Sequence, residues 1–288
     1  MGHVPDNRGN HSHFENLVFI NCVINIPFMF ISIIGNTLVL AAILRTPSLR
    51  SPFMIFLCSL VVSDLLVGYI IQPLYITNEL TENFLLKQVS SIMSYSVCGV
   101  SIAAMTAISI DRFLALHYHM RYSNLITTQR AKFISVFLWF NTILTSFLAL
   151  WSMYIFLICA PVIVAILLIV SMYCYIRIYR IVLQHRFQIH AQQQAVASLD
   201  NNLSSNQESK NTALNTFIYY LAMILCYMPL FISLIALQIP NISYSEAWKF
   251  TDTVAFMNSA VNPVLYCWRH RELRKAVVKT ARKYQSKP

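Results

Sequence analysis

Charged residues are scarce in this sequence. Asp, Glu, Lys and Arg make up only 11% of the 288 residues, whereas 57% are hydrophobic and the mean hydropathy is +0.57. Because soluble domains usually contain about a quarter charged residues, the composition predicts an integral membrane protein. The net charge of +10 is therefore first a sign of topology, since basic residues of membrane proteins collect on cytoplasmic loops. We expect no nucleic-acid partner.

No cysteine lies in a segment that is predicted to face outward. All seven fall inside or at the edge of apolar segments, and they are Cys22, Cys58, Cys98, Cys159, Cys174, Cys226 and Cys267. Structural disulfides join cysteines that meet in an oxidising compartment. We therefore predict no disulfide.

Catalytic patterns are lacking as well. The sequence has no Ser/His/Asp arrangement, no paired carboxylates and no His/Cys spacing of the kind that binds metals. We predict that the protein is not an enzyme and has no cofactor apart from a sodium ion, which is considered below. The first seventeen residues lack the basic and apolar regions of a cleaved signal peptide, so the first apolar segment is expected to direct membrane insertion.

Seven apolar segments are long enough to cross a bilayer as helices. They cover residues 18–44, 53–76, 90–116, 133–151, 153–179, 214–237 and 247–267. If the first segment ends inside the cell, eighteen of the 21 basic residues are cytoplasmic and only Arg8, Lys87 and Lys249 lie outside. This asymmetry predicts an extracellular N-terminus and a cytoplasmic C-terminus.

Three regions follow from this topology. Residues 1–17 are an extracellular tail, residues 18–267 are an all-α bundle of seven transmembrane helices, and residues 268–288 are cytoplasmic. The first region contains a glycosylation sequon at Asn10. Residues 186–210 are rich in Gln, Asn and Ser and predict a solvated linker.

The cytoplasmic end predicts a short amphipathic helix. Its apolar residues repeat at helical spacing, with Arg and Lys on the other face, and they are Leu273, Ala276, Val277, Ala281 and Tyr284. Such a helix can lie on an anionic membrane surface, so membrane lipids are expected partners.

An acid and an arginine stand together at the inner end of the third segment. Residues 92–110 carry no charge, and Asp111 and Arg112 follow them directly. The two side chains can form an ion pair at the membrane surface. The guanidinium group of the arginine can later leave this pair and donate to another acceptor. The pair could equally do no more than mark the place where the helix leaves the lipid.

Asp64 is the one acid that we expect to be buried within a membrane segment. Burial there costs about 2.5–3.5 kcal/mol on insertion scales, so the carboxylate should have polar partners. The candidates are polar residues of other segments, namely Asn36, Ser101, Asn258, Ser259 and Asn262. A cluster of oxygens around one carboxylate suits sodium or water, although a hydrogen-bonded packing network is the alternative.

Several motifs occur in order along the segments. They are Gly35-Asn36, Leu60-Val-Val-Ser-Asp64, Asp111-Arg112-Phe113, Trp139, Tyr175-Ile-Arg-Ile-Tyr179, Cys226-Tyr-Met-Pro229 and Asn262-Pro263-Val-Leu-Tyr266. Together they resemble the rhodopsin-like family of G-protein-coupled receptors and cover nearly the whole chain. The resemblance implies a plasma-membrane receptor that binds an extracellular small-molecule, lipid or peptide ligand and activates a heterotrimeric G protein.

Departures from the family pattern narrow the resemblance. Lys87 stands where most members have the cysteine of a loop disulfide, and Leu167 stands where the fifth segment usually has proline. With the very short connection near Ser152, this pattern is similar to the melanocortin receptors and the related receptors for lipids, cannabinoids or adenosine. Leu74 and Ser91 occupy two places where melanocortin receptors have acidic residues. Tyr227 replaces the usual tryptophan of the sixth segment.

The resemblance also implies roles for particular residues. The expected ligand-contact residues are Ser94, Cys98, Tyr227, Leu230 and Phe231. The expected signalling residues are Asp111, Arg112, Tyr175, Pro229, Asn262, Pro263 and Tyr266. In related receptors an acid near the start of the sixth segment restrains the arginine, and Ser209 occupies that place here. An ion pair at a wet interface contributes only about 0–1 kcal/mol, so we expect a weakly held resting state.

A transporter or ion channel that uses Asp64 in an ion path is the alternative function. Transporters tend to show internal repeats and broken helices in matched halves. We find no such repeat in this sequence.

Overall fold

The computed structural model describes residues 7–47, 51–81, 83–118, 121–196, 221–222, 224–236 and 249–285. Within these ranges the regular structure is helical and contains no strand, which confirms the predicted all-α fold. The helices are α1 (Asn7–Arg45), α2 (Pro52–Leu66), α3 (Gln72–Thr81), α4 (Phe84–Tyr118), α5 (Tyr122–Leu125), α6 (Thr128–Trp151), α7 (Met153–Val196), α8 (Ile224–Ala236), α9 (Lys249–Arg269) and α10 (Arg271–Gln285).

Five of the predicted membrane segments form helices that are long and apolar enough to cross a bilayer. In the described residues these are Asn16–Arg45, Pro52–Thr81, Phe84–Tyr118, Thr128–Trp151 and Met153–Gln184. The sixth predicted segment is described as the shorter apolar helix α8. The seventh forms α9, whose polar residues keep its mean hydropathy low.

Two helices extend beyond their predicted segments. Helix α1 begins at Asn7 rather than at residue 18. Helix α7 continues from the predicted end at residue 179 to Val196, so the part of the predicted linker from 186 to 196 is helical. Residues 180–196 contain neither Gly nor Pro, and five of these seventeen residues are Gln, which favours propagation of the helix.

The second segment has an irregular turn in its middle. Residues Val67–Ile71 form a π-turn, and the Gln72 amide donates to the carbonyl of Val67, five residues earlier. The next residue, Pro73, has no amide hydrogen to donate. Such turns locally break the regular helix. The wider turn therefore lies just before Pro73.

Helix α4 is the centre of the bundle. It packs against α2, α6 and α7, and the side chains from Val100 to Ser109 are nearly all buried. Helix α1 packs against α9 at Gly35, where an added Cβ would lie 2.9 Å from Cγ of Pro263. A single residue, Ser152, connects α6 to α7 and confirms the very short connection that the sequence predicts.

The amphipathic helix after the seventh segment is present as α10. Leu273 and Ala276 are buried, and the helix packs against α1 and α9. Its exposed face carries Arg274, Lys275 and Arg282. The sequence therefore predicts both this helix and its apolar face.

Candidate functional site

A cavity of about 300 Å³ lies between α4, α6, α7, α8 and α9. Most of its lining is apolar, and α6 contributes hydroxyl and amide groups from Asn141, Thr142, Thr145 and Ser146. The other lining residues are Ser94, Tyr95, Cys98, Gly99, Ile102, Ala103, Leu138, Phe156, Ala160, Ile163, Val164, Leu167, Leu230, Leu234, Asp252 and Phe256. Apolar walls with a few placed polar groups are typical of sites for small ligands.

Three of the five predicted ligand-contact residues line this cavity. Ser94 and Cys98 lie one turn apart on α4, and Leu230 contributes from α8. Phe231 and Tyr227 do not line it.

Tyr227 is fully buried and points to a polar cluster instead. Its hydroxyl accepts a hydrogen bond from Nδ2 of Asn258 at 3.1 Å. Ser101 is a second hydrogen-bonding neighbour of this hydroxyl. The tyrosine that replaces the usual tryptophan therefore connects α8 to the residues around Asp64.

The sequence reasoning missed Asp252 in the first turn of α9. Its side chain is half-buried and lines the cavity. Because residue 252 lies inside the predicted seventh segment at 247–267, the sequence alone could have identified it as an acid within a membrane segment. Asp64 is therefore not the one acid within the membrane segments.

Asp64 is fully buried at the centre of the bundle, as predicted. Nδ2 of Asn262 donates to its Oδ2 at 2.9 Å. The hydroxyl of Ser32 donates to the Asp64 carbonyl at 3.0 Å. Helices α1, α2 and α9 therefore meet at this residue.

Asn36, Ser63 and Ser101 complete what we call the central polar cluster, together with Asp64, Asn258, Ser259 and Asn262. Nδ2 of Asn36 donates to the Ser259 carbonyl at 2.9 Å, and the hydroxyls of Ser63 and Ser101 are 2.9 Å apart. Three buried oxygens of this cluster have no hydrogen-bond partner in the described part of the chain, namely Oδ1 of Asn36, of Asp64 and of Asn262. These unsatisfied acceptors are suited to a cation or to water.

A second buried polar network joins α1, α3 and α9, and the sequence did not predict it. Nδ2 of Asn21 donates to the hydroxyl of Tyr75 at 2.8 Å. Thr253 donates to Oδ1 of Asn21 at 2.6 Å and accepts from Nδ2 of Asn25 at 2.8 Å. The ring of Tyr75 packs edge-on against the cavity residue Phe256, with 5.4 Å between centroids.

Asp111 and Arg112 form the expected ion pair at the end of α4. Nε of Arg112 donates to Oδ2 of Asp111 at 3.0 Å, and Nη2 donates to the same oxygen. The guanidinium carbon lies 4.1 Å from the centroid of the Phe53 ring on α2, a cation–π contact. Phe53 in turn packs against His270, with 4.6 Å between ring centroids.

The carboxylate of this ion pair is less exposed to solvent than the sequence suggested. Asp111 is fully buried, and Tyr122 of α5 donates its hydroxyl to Oδ1 of the same carboxylate. Burial, followed by the bond to Asp111, raises the pKa of Tyr122, so this hydroxyl remains a donor. The expectation of a solvent-exposed pair is therefore wrong for the carboxylate.

The remaining predicted residues lie elsewhere in the bundle. Tyr175 and Tyr266 are buried core residues, while Pro229 and Pro263 lie inside α8 and α9. Asn10 lies in α1. Ser209 lies outside the described residues.

Two comparisons relate this chain to known proteins. The family described as "7 transmembrane receptor (rhodopsin family)" matches residues 35–156 and 148–266. Melanocortin receptor 4 of Danio rerio is 25% identical over 287 residues, which cover 93% of this chain and 86% of the relative.

Proposed function

We propose that this chain, which belongs to the rhodopsin family of seven-transmembrane receptors, transmits the binding of an extracellular ligand to a heterotrimeric G protein. One observation carries the proposal. Helix α4 lines the cavity with Ser94 and Cys98 and carries Asp111 and Arg112 thirteen or more residues further along. At about 1.5 Å per residue, the two sites lie about 20 Å apart on one helix.

The ion pair favours the resting arrangement of the bundle. Arg112 is held by Asp111 on its own helix and by Phe53 on α2. A ligand can change this equilibrium only if it binds one arrangement better than the other. A ligand in the cavity can do so by displacing α8 against α4, because Leu230 and Cys98 line the same space. Arg112 then becomes available to a G protein on the α10 side.

The central polar cluster offers a sodium site between these two ends. Asp64 would supply the charge, and Oδ1 of Asn36 and of Asn262 are unsatisfied oxygens in the same cluster. A hard monovalent cation prefers such oxygen donors. When bound, the ion would neutralise Asp64 and strengthen the contacts among α1, α2 and α9.

The proposed orientation places the N-terminus outside the plasma membrane and α10 inside. It is supported by the distribution of basic residues, with Arg274, Lys275 and Arg282 on the exposed face of α10. Epitope tags at both ends, stained on intact and on permeabilised cells, test it. Staining of a C-terminal tag without permeabilisation would contradict this topology.

Nucleotide exchange on purified G proteins tests the function itself. Wild-type receptor in lipid nanodiscs is expected to accelerate exchange on at least one of a panel of Gs, Gi, Gq and G12 proteins. The variant Arg112→Ala, compared at equal receptor amount, should remove the acceleration. Sodium flux into liposomes without any exchange activity would instead favour a transporter or channel that uses Asp64.

A further inference from the structure

The cavity carries a single carboxylate and no basic side chain among its described lining residues. The carboxylate belongs to Asp252 of α9. The rest of the lining consists of hydrocarbon groups and uncharged polar groups, such as the hydroxyls of Ser94 and Tyr95. The electrostatic character of the cavity is therefore set by one acid.

Within the described part of the chain, Asp252 makes no hydrogen bond and no ion pair. This distinguishes it from Asp64, which accepts from Asn262, and from Asp111, which accepts from Arg112 and Tyr122. A carboxylate that is partly removed from water without a partner is unfavourable. A cationic ligand would relieve this cost.

The position of Asp252 in the first turn of α9 does not remove the need for a partner. A helix N-terminus favours an acid only weakly. Glu79 on α3 adds a second negative charge that is close enough to interact unfavourably with Asp252. Glu79 therefore cannot compensate the charge of Asp252.

We propose that the cavity binds an amphiphilic monocation, whose protonated amine pairs with Asp252 and whose apolar body fills the space between α4, α7 and α8. Apolar walls for this body are supplied by Ile102, Val164 and Leu234. The aromatic ring of Phe256, one turn after Asp252, also lines the cavity. Aromatic faces also favour cations.

This inference rests on the proposed function only in treating the cavity as the ligand site, and it names the class of ligand. Its test uses binding alone, without a G protein. If the receptor does not accelerate nucleotide exchange, the inference about amine binding is not contradicted. If the amine does not bind, the proposed signalling function is not contradicted.

The experiment uses three probes of nearly equal size on purified full-length receptor in nanodiscs. They are 4-phenylbutylamine, 4-phenylbutan-1-ol and 4-phenylbutyrate, and binding is measured by ligand-observed NMR titration at pH 7.4. We expect the amine to bind wild type at least about tenfold more tightly than the alcohol, and the acid to bind most weakly. Equal affinities for amine and alcohol would overturn the proposal without any variant.

Three variants test which acidic residue causes the preference for the amine. Asp252→Asn should reduce amine binding to the level of the alcohol, while Asp252→Glu should retain the preference for the amine. Glu79→Gln is the matched control, because it removes one nearby negative charge from a residue that does not line the cavity. It should lower the preference by less than threefold. Retention of the full preference in Asp252→Asn, or its loss only in Glu79→Gln, would refute the role of Asp252.

Discussion

Replacing Tyr122 by Phe is expected to raise the basal activity of the receptor. The tyrosine donates its hydroxyl to Oδ1 of Asp111, while Arg112 donates to Oδ2. The substitution removes one donor from a carboxylate that is fully buried. It leaves the ion pair in place, so the resting arrangement should be weakened rather than lost.

The size of the effect follows from the exposure of Tyr122. A hydrogen bond to a charged group is worth about 1.5–3 kcal/mol. Tyr122 is only half-buried, so water can replace part of the lost bond and we take about 1 kcal/mol. If the bond forms only in the resting arrangement, the ratio of active to resting receptor rises about fivefold. While the active fraction is small, basal exchange should rise by the same factor.

The assay is ligand-free nucleotide exchange on the G protein that responds best to wild type, at equal amounts of receptor in nanodiscs. Tyr118→Phe is the matched control, because Tyr118 is exposed at the end of α4, the helix that carries Asp111, and its hydroxyl has no hydrogen bond within the described residues. Asp111→Asn should raise basal exchange as well, and adding Tyr122→Phe to it should have little further effect. If Tyr122→Phe leaves basal exchange unchanged, or if Tyr118→Phe raises it equally, the hydroxyl does not restrain the pair.

Three further predictions concern the cluster, the packing and the cysteines. Asp64→Asn should abolish any difference in basal exchange between sodium and potassium buffers at equal surface expression; unchanged sodium sensitivity would show that the cluster is a packing network. Gly35→Ala should lower the free energy of unfolding by about 1–3 kcal/mol, which is measured as a lower melting temperature. Gly99→Ala is the control and should be tolerated, because its Cβ would lie 3.4 Å from Thr142. Equal shifts of the melting temperature in both variants would contradict the close contact between Gly35 and Pro263. Mild reductant should leave ligand response intact, because all seven cysteines are free; loss of response at unchanged surface expression would reveal a required disulfide.

The fold was largely predictable because it depends on long apolar segments. Stretches of about twenty residues without charge are visible in the sequence. The N-termini of α2 and α6 follow residues that are typical N-caps. Ser51 accepts from the Met54 amide, and Thr127 accepts from the Arg130 amide. The extension of α7 to Val196 was not predicted, because a polar helix outside the bilayer and a solvated linker have similar compositions.

The central polar cluster was predictable for a different reason. A carboxylate inside a membrane segment needs polar partners, and few segments offer any. The bond between Asp64 and Asn262 follows this logic. The network around Asn21 and Thr253 could not be found in the same way, because its residues are neutral and lie up to 232 positions apart.

The burial of Asp252 and Asp111 could not be predicted from the composition of their segments. Asp252 lies near the edge of its predicted segment, where an acid is easily assigned to the water interface, and only the packing of α9 against the cavity reveals its role. Asp111 was expected to be wet for the same reason. It is buried, and Tyr122, from the short helix after α4, donates a hydrogen bond to its Oδ1.

The low hydropathy of α9 is a consequence of its place in the bundle. Its polar residues Thr253, Asn258 and Asn262 are all buried, and each has a hydrogen-bond partner on another helix: Asn25, Tyr227 and Asp64 respectively. Its exposed positions include the apolar Val264. A helix of this kind crosses the bilayer at low cost because its polar groups contact protein rather than lipid. The same polar face passes from the cavity at Asp252, through the central polar cluster, to the buried Tyr266. Helix α9 is therefore, with α4, the element through which occupancy of the cavity can reach the opposite end of the receptor.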